Sequence, residues 1–325
     1  VDIYFDKDYL KNSEKIENGK LDFFFYEDNN GKGENIFIKR EIKQNIVKES
    51  LYDLITPYGY GGPLIEIKQE KVREEFIKTY FEKYEEYCNK NNIVSEFVRF
   101  HPLEKNYEYS KNFYNVSYNS NTIFIDLSSE ELIESNIISK ARNMIRKAEK
   151  NHLVVEEDKK LETIENFITL YYETMNKNNA STLYYFDKKY FYDIFLLKNK
   201  VKLFNVKYQD KIIATSMILI GEKWIHYHLS ANTEIGYKLA ANNFLLYNIA
   251  KWGYKNGYEK FHLGGGYGGN ESPLYKFKHS MNKNGILEFY IGKKIYNKEL
   301  YQKLVDEKML NSKEKESTFF PLYRL

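Results

Sequence analysis

Trp224-Ile-His-Tyr-His-Leu-Ser230, Ala240 to Asn256, Tyr258 to Leu263 and Gly264-Gly-Gly-Tyr-Gly-Gly269 follow one another within the stretch from Trp224 to Lys278. Its reading decides the fold. The first segment is aromatic and alternating, so it predicts a strand. The second carries Ala241, Phe244, Leu245, Ile249 and Trp252 near a helical period, and Gly257 gives it a stop. The third is a second strand that ends on glycines. A strand-helix-strand unit this short predicts two parallel strands joined by a right-handed crossover. Ligands of such units sit at the carboxyl ends of the strands, which places a site near Ser230 and Gly264.

The elements around this unit extend the sheet. Val201 to Tyr208, Ile212 to Ile220 and Trp224 to Ser230 are separated by turns too short for anything but antiparallel pairing. Upstream, Leu21 to Tyr26 and Ile36 to Ile42 flank Asp28-Asn-Asn-Gly31 and predict a hairpin. Leu51 to Thr56, the loop Pro57-Tyr-Gly-Tyr-Gly-Gly-Pro63, a helix over Val72 to Cys88 and a strand over Ile93 to Phe100 repeat the order strand, loop, helix, strand. A further hairpin is expected from Phe113 to Tyr118 and Thr122 to Leu127, turning at Asn119-Ser-Asn121. The fold class is therefore α/β with mixed sheets, in two similar lobes. The expected boundaries are 1–135, 136–310 and a loose charged tail over 311–325, with a basic helix near the first boundary.

Composition narrows the classes. The 325 residues are 42% apolar and 29% charged, enough for a sizeable core. A net charge of +3, 49 basic against 46 acidic side chains, does not point to DNA. Aromatic residues reach 17%, but the tyrosines are dispersed rather than clustered into a stacking surface. One cysteine, Cys88, rules out an internal disulfide and a cysteine-built zinc site. No apolar run has the length of a membrane span, and the expected location is cytoplasmic.

Several residues are candidates for chemistry. His226 and His228 lie two apart on one strand and share a face. No third ligand accompanies them, so no metal is expected. His228, nearer the carboxyl end, is the candidate general base, and His226 a substrate contact. Gly264, Gly266 and Gly269 match G-x-G-x-x-G formally, yet no long helix opens at the last glycine, as a dinucleotide site requires. Gly265 and Gly266 instead expose backbone that a ligand can approach. In Lys276-Phe277-Lys278, an inward Phe277 puts the two lysines on different faces, one of them toward the strand ends. There a cation stabilises a developing oxyanion. Arg142 and Arg146 lie on the polar side of the basic helix as candidate phosphate contacts.

The order of elements resembles the GNAT acyltransferase fold, and more narrowly the FemAB-like group with its two GNAT-like domains in tandem. The resemblance spans roughly Leu51 to Tyr301. It is carried by Tyr60-Gly-Gly-Pro-Leu-Ile65, Val98-Arg-Phe-His-Pro102, Lys140-Ala-Arg-Asn-Met-Ile-Arg-Lys-Ala-Glu149, Tyr254 to Gly265, and Leu274-Tyr-Lys-Phe-Lys278. It implies that Lys278, in the family's Phe-Lys pair, stabilises the acyl-transfer intermediate. It implies that the first lobe holds the acceptor, with Arg99, Tyr58 and Tyr60 on that side. The acceptor would be an amine of a cell-envelope precursor, a peptidoglycan stem peptide or an amino sugar. The donor would be an aminoacyl-tRNA or an acyl-CoA used as co-substrate, with no permanently bound cofactor.

The chain departs from the pattern at two places. His279-Ser-Met-Asn282 replaces the Phe-Gly pair that commonly follows Phe-Lys. Thr233-Glu-Ile-Gly-Tyr-Lys238 has only the first glycine of the Arg/Gln-x-x-Gly-x-Gly/Ala stretch of CoA-binding members. An acetyl-CoA-dependent N-acetyltransferase is the alternative within the class. A non-catalytic saccharide- or RNA-binding module is the alternative outside it.

Overall fold

The computed structural model describes residues 1–267, 269–310 and 319–325. In chain order, α1 (Lys7–Leu10) and α2 (Ser13–Ile16) precede the hairpin β1 (Lys20–Glu27) and β2 (Gly31–Ile42). β3 (Leu51–Ile55), β4 (Leu64–Ile67), α3 (Arg73–Lys90), β5 (Ile93–Arg99) and α4 (Tyr107–Ser110) follow. Then come β6 (Asn115–Asp126), α5 (Glu130–Asn136), α6 (Ser139–Lys150), β7 (Val154–Glu157), α7 (Ile164–Lys177) and α8 (Lys188–Phe195). The antiparallel run β8 (Val201–Tyr208), β9 (Lys211–Ile220) and β10 (Trp224–Asn232) leads to α9 (Glu234–Lys238), α10 (Ala241–Lys255) and β11 (Lys260–Gly264). The chain closes with α11 (Pro273–Met281), β12 (Ile286–Ile295) and α12 (Lys298–Leu310).

Contacts divide these elements into two units, each discontinuous in sequence. Unit 1 is Val1–Asn12 with Ser120–Glu288, and unit 2 is Ser13–Asn119 with Phe289–Leu325. The expected single cut at 135/136 is thus replaced by cuts at 12/13, 119/120 and 288/289. The reason is β6. Asn119-Ser-Asn121 does not turn; Asn115 to Asp126 is one extended strand, and the expected hairpin does not exist. Its second half, Ile123 to Asp126, pairs with β11 in unit 1. Asn and Ser suit a turn by composition, but Ile123 to Asp126 is drawn out along β11 and the Asn121 N–H is taken by Asn270 Oδ1, so the segment stays extended. Of the expected tail, residues 311–318 lie outside the described residues. Phe319–Leu325 belongs to unit 2, where Tyr323 is buried and Arg324 reaches Asp53.

In unit 1 the strand order is β6-β11-β10-β9-β8-β7. β10 and β11 are parallel, in the register Trp224↔Lys260, Ile225↔Phe261 and His226↔His262, with α10 as the crossover. One apolar side of α10 (Ala241, Leu245, Ile249, Ala250) packs into a core with Ile218, Ile225, Phe261 and Leu263. α6 contributes Ala141, Ile145 and Ala148 to the same core, which fixes its polar side outward. In unit 2 the order is β1-β2-β3-β5-β12, with β4 also on β2. β3 and β5 are parallel, in the register Leu54↔Glu96 and Ile55↔Phe97, and α3 is their crossover. Phe76, Tyr80, Phe81 and Tyr84 recur at helical spacing and bury one side of α3. Both units therefore carry the parallel strand-helix-strand unit expected from sequence.

Candidate active site

The parallel pairing of β10 and β11 stops at His226 and His262. Beyond it β10 runs on to Asn232 while β11 ends at Gly264. β10 is irregular against β9 between Tyr227 and Leu229, and β11 is irregular against β6 between His262 and Gly264. Two neighbouring strands that stop pairing leave a fork at their carboxyl ends.

Lys278 occupies this place. It lies on α11, whose first turn is fixed by Pro273 and by Ser272, which accepts from the Tyr275 N–H. Phe277 is half-buried, Lys276 pairs with Glu271 at the surface, and Lys278 is buried. Its Nζ donates to the Gly265 carbonyl at 2.7 Å and stands 5.7 Å from the centre of the Tyr227 ring. Burial disfavours the ammonium and brings its pKa down to about 7. Tyr227 donates to Ser230 Oγ at 2.5 Å, and burial pushes its phenol up to about 12.

The glycine turn has a different purpose from the one expected. Gly264 has φ +72°, a conformation that favours glycine. A Cβ on Gly266 would lie 2.1 Å from Ser272 Oγ and 2.6 Å from Tyr275 Cβ. The bare backbone at Gly266 is approached by α11 itself, which docks on it and thereby delivers Lys278. Gly265 serves through its carbonyl. Gly268 lies outside the described residues. Gly266→Ala is expected to displace α11 and to cost ~2 kcal/mol of stability, as overpacking does. Urea unfolding measures the cost, and an unchanged midpoint would contradict the close docking.

The histidines do not fit the roles expected of them. His228 accepts from or donates to Tyr190 across 2.9 Å and meets Tyr9 edge-on. Burial pushes its imidazole down to about 3, so the neutral ring binds protons far too weakly for a general base near neutrality. His226 is buried against Asp2 (2.7 Å) and His262 (3.3 Å), not exposed to a substrate.

In unit 2, Arg99 pairs with Glu17 at 2.5 Å and also donates to the carbonyls of Thr56 and Pro57. It braces the loop that carries Tyr58 and Tyr60. The Tyr58 N–H is held by Ser13 Oγ at 3.1 Å, and the Tyr60 ring meets Phe289 and His101 edge-on. Burial raises the Tyr60 phenol pKa. Arg142 and Arg146 are exposed on the outer side of α6, and among the described residues no hydrogen bond or ion pair joins them to the Lys278 fork. The structure thus brings Lys278 and Gly265 together and adds Tyr227 and Ser230, whose side chains the sequence reading passed over. Their signal was position alone, at the end of the strand before the crossover.

Residues 135–278 match the family model described as an acetyltransferase (GNAT) domain, and the match ends on Lys278. Three solved structures share the fold over nearly the whole chain. One is FemX, at 12% identity, covering 93% of this chain and 94% of that one with a TM-score of 0.68. Another is the C-terminal domain (DUF2156) of a putative lysylphosphatidylglycerol synthetase from Agrobacterium fabrum, at 12% identity, 93% and 96% coverage and a TM-score of 0.55. The third is L-PGS from Bacillus licheniformis, at 14% identity, 88% and 91% coverage and a TM-score of 0.53. No match is found among curated protein sequences. The protein is an acyltransferase whose unit 1 carries a GNAT domain. Over nearly its whole length the chain shares the fold of FemX. Among the described residues no helix is long and apolar enough to cross a membrane.

Proposed function

We propose that the protein transfers an aminoacyl group from tRNA onto an amine of a cell-envelope precursor, a peptidoglycan stem peptide or an amino sugar. The observation that carries the transfer chemistry is Lys278, a buried cation held at the strand fork by a single carbonyl. The acceptor amine attacks the ester carbonyl, and the oxygen takes up negative charge in the tetrahedral intermediate. The Lys278 ammonium, unpaired with any carboxylate among the described residues, stabilises that oxygen in a site of low dielectric. Collapse breaks the ester bond. The proton lost by the attacking nitrogen goes to the departing ribose oxygen, and an amide remains.

The aminoacyl donor is favoured over a thioester by the approach to α10. The short helix α9 fills the lead-in, and Thr233 Oγ1 accepts from the Gly236 N–H at its start. The lead-in thus spends Gly236 on close packing against Ile213 and Asn232, rather than on a phosphate. The overall fold shared with FemX and with the domain of the putative lysylphosphatidylglycerol synthetase supports the same reading. An acetyl-type donor from CoA is the second reading, favoured by the acetyltransferase description of the matched domain.

The protein should be offered aminoacyl-tRNA and acetyl-CoA in parallel, each with wall precursors and amino sugars, and products read by mass. Transfer from tRNA alone supports the first reading. Transfer from CoA alone replaces it with the second.

A further inference from the structure

α6 carries five basic side chains, Lys140, Arg142, Arg146, Lys147 and Lys150, against the single acidic Glu149. That is a net +4 on 12 residues. The whole chain is only +3, so everything outside α6 sums to −1. All five basic side chains are exposed, and none makes a hydrogen bond or ion pair among the described residues. Other helices neutralise lysines locally. On α3 Lys78 pairs with Glu82 and Lys83 with Glu86, and on α12 Lys303 pairs with Glu299. α6 does not.

Helix stability does not account for this charge. Lys147 and Lys150 lie in the last turn, where a cation meets the negative end of the helix dipole. Lys140 and Arg142 have the opposite placement. They stand near the start of α6, beside the positive end, which has no acidic residue in its first turn and no side-chain cap. Two cations there weaken the helix that carries them.

Their arrangement is regular. Ala141, Ile145 and Ala148 are buried in the core of unit 1, so the opposite side of α6 faces solvent. Arg142, Arg146 and Lys150 recur every four residues along it, a rise of about 6 Å from one to the next. A row of evenly spaced cations suits a polyanion with a regular charge repeat, and guanidiniums fork onto phosphate oxygens. An anionic membrane would instead call for apolar side chains beside the basic ones, and every exposed position of α6 is polar.

The row also starts beside the fork. The Ile138 N–H, just before α6, donates to the Ser280 carbonyl at 3.0 Å, and Ser280 follows Lys278 by two residues on α11. From that point α6 extends for about 18 Å. We infer that the outer side of α6 is a docking surface for the phosphate backbone of RNA, holding the stem of an aminoacyl-tRNA whose 3′ end enters the Lys278 fork. The link to the fork rests on the donor reading proposed above; the RNA surface does not, and its test needs no acyl transfer.

Binding of deacylated tRNA to the unaltered protein is to be measured across a salt series. Each phosphate contact contributes about 0.7–0.9 to the slope of log K against log salt. Arg142→Gln, Arg146→Gln and Lys150→Gln in one variant should weaken binding and reduce that slope by about 2. Lys78→Gln, Lys83→Gln and Lys303→Gln in another remove the same charge from α3 and α12 and should leave the slope in place. Equal losses in the two variants, or no binding by the unaltered protein, overturn the proposal. Binding to phosphatidylglycerol vesicles in place of tRNA overturns it too, and gives the surface to a membrane. If the slope falls as stated while transfer comes only from CoA, the RNA surface stands and the tRNA donor falls. If transfer comes from aminoacyl-tRNA while the α6 variant keeps both slope and KM, the donor stands and the surface falls.

Discussion

Lys278→Ala is expected to lower kcat for acyl transfer about a hundredfold, ~2.7 kcal/mol in the barrier, while KM changes little. The magnitude is that of removing one donor from an oxyanion site. The split follows from where the charge appears. In the ground state the acyl carbonyl is neutral and gains little from a cation, whereas the intermediate carries a full negative charge beside it. Lys278→Arg should recover only a small part, because a planar guanidinium does not fit a buried place shaped for one ammonium. The pH dependence has a definite sign. Burial lowers the Lys278 pKa to about 7, so the ammonium is complete below that value and is lost as pH rises through it. The kcat profile should therefore carry an alkaline limb near pH 7 belonging to the enzyme. A Lys278→Ala variant within about threefold of the unaltered enzyme would remove Lys278 from the chemistry, since threefold is under ~1 kcal/mol.

The same residue shows what a sequence makes visible. Lys278 was legible because its cues are local: a strand ending on glycines, a proline that starts a short helix, and an inward phenylalanine beside the lysine. The two parallel strand-helix-strand units were legible for the same reason, since hydrophobic period and turn composition are properties of neighbours. His228 was misread because burial, which no local pattern reveals, and then the neighbouring His226 lower its proton affinity, while the partner of its Nε2 is Tyr190, 38 positions away on α8. The contact of Asp2 with His226 was beyond reach, the two lying 224 positions apart. The unit boundary failed on β6, where three polar residues imitate a turn but extend as a strand. Residue types could be read from short windows; partners brought together by the sheet could not.

Unit 2 offers the other large effect, in stability rather than rate. Glu96 is 2% exposed and its carboxylate accepts four hydrogen bonds. Oε1 takes Asn35 Nδ2 at 3.0 Å and Tyr84 at 2.9 Å; Oε2 takes Tyr114 at 2.8 Å and Tyr296 at 2.7 Å. Glu96→Ala leaves these groups facing a cavity and is expected to cost about 4 kcal/mol, read as a lower urea midpoint for unit 2. Glu96→Gln should cost less than half as much. Its oxygen can keep Asn35 and Tyr84, and its amide can donate to Tyr114 and Tyr296, because hydroxyls accept as well as donate.

The two variants also separate packing from charge. Desolvation raises the Glu96 pKa above 4.5, outweighing the four bonds that lower it. A carboxyl whose folded pKa is raised contributes its stability at low pH and loses it as pH rises from 4.5 through the folded value. The advantage of the unaltered protein over Glu96→Gln should therefore be greatest at mildly acidic pH and shrink across that window. An advantage that grows with pH instead would mean that the four hydrogen bonds outweigh burial and that the carboxylate is the preferred form.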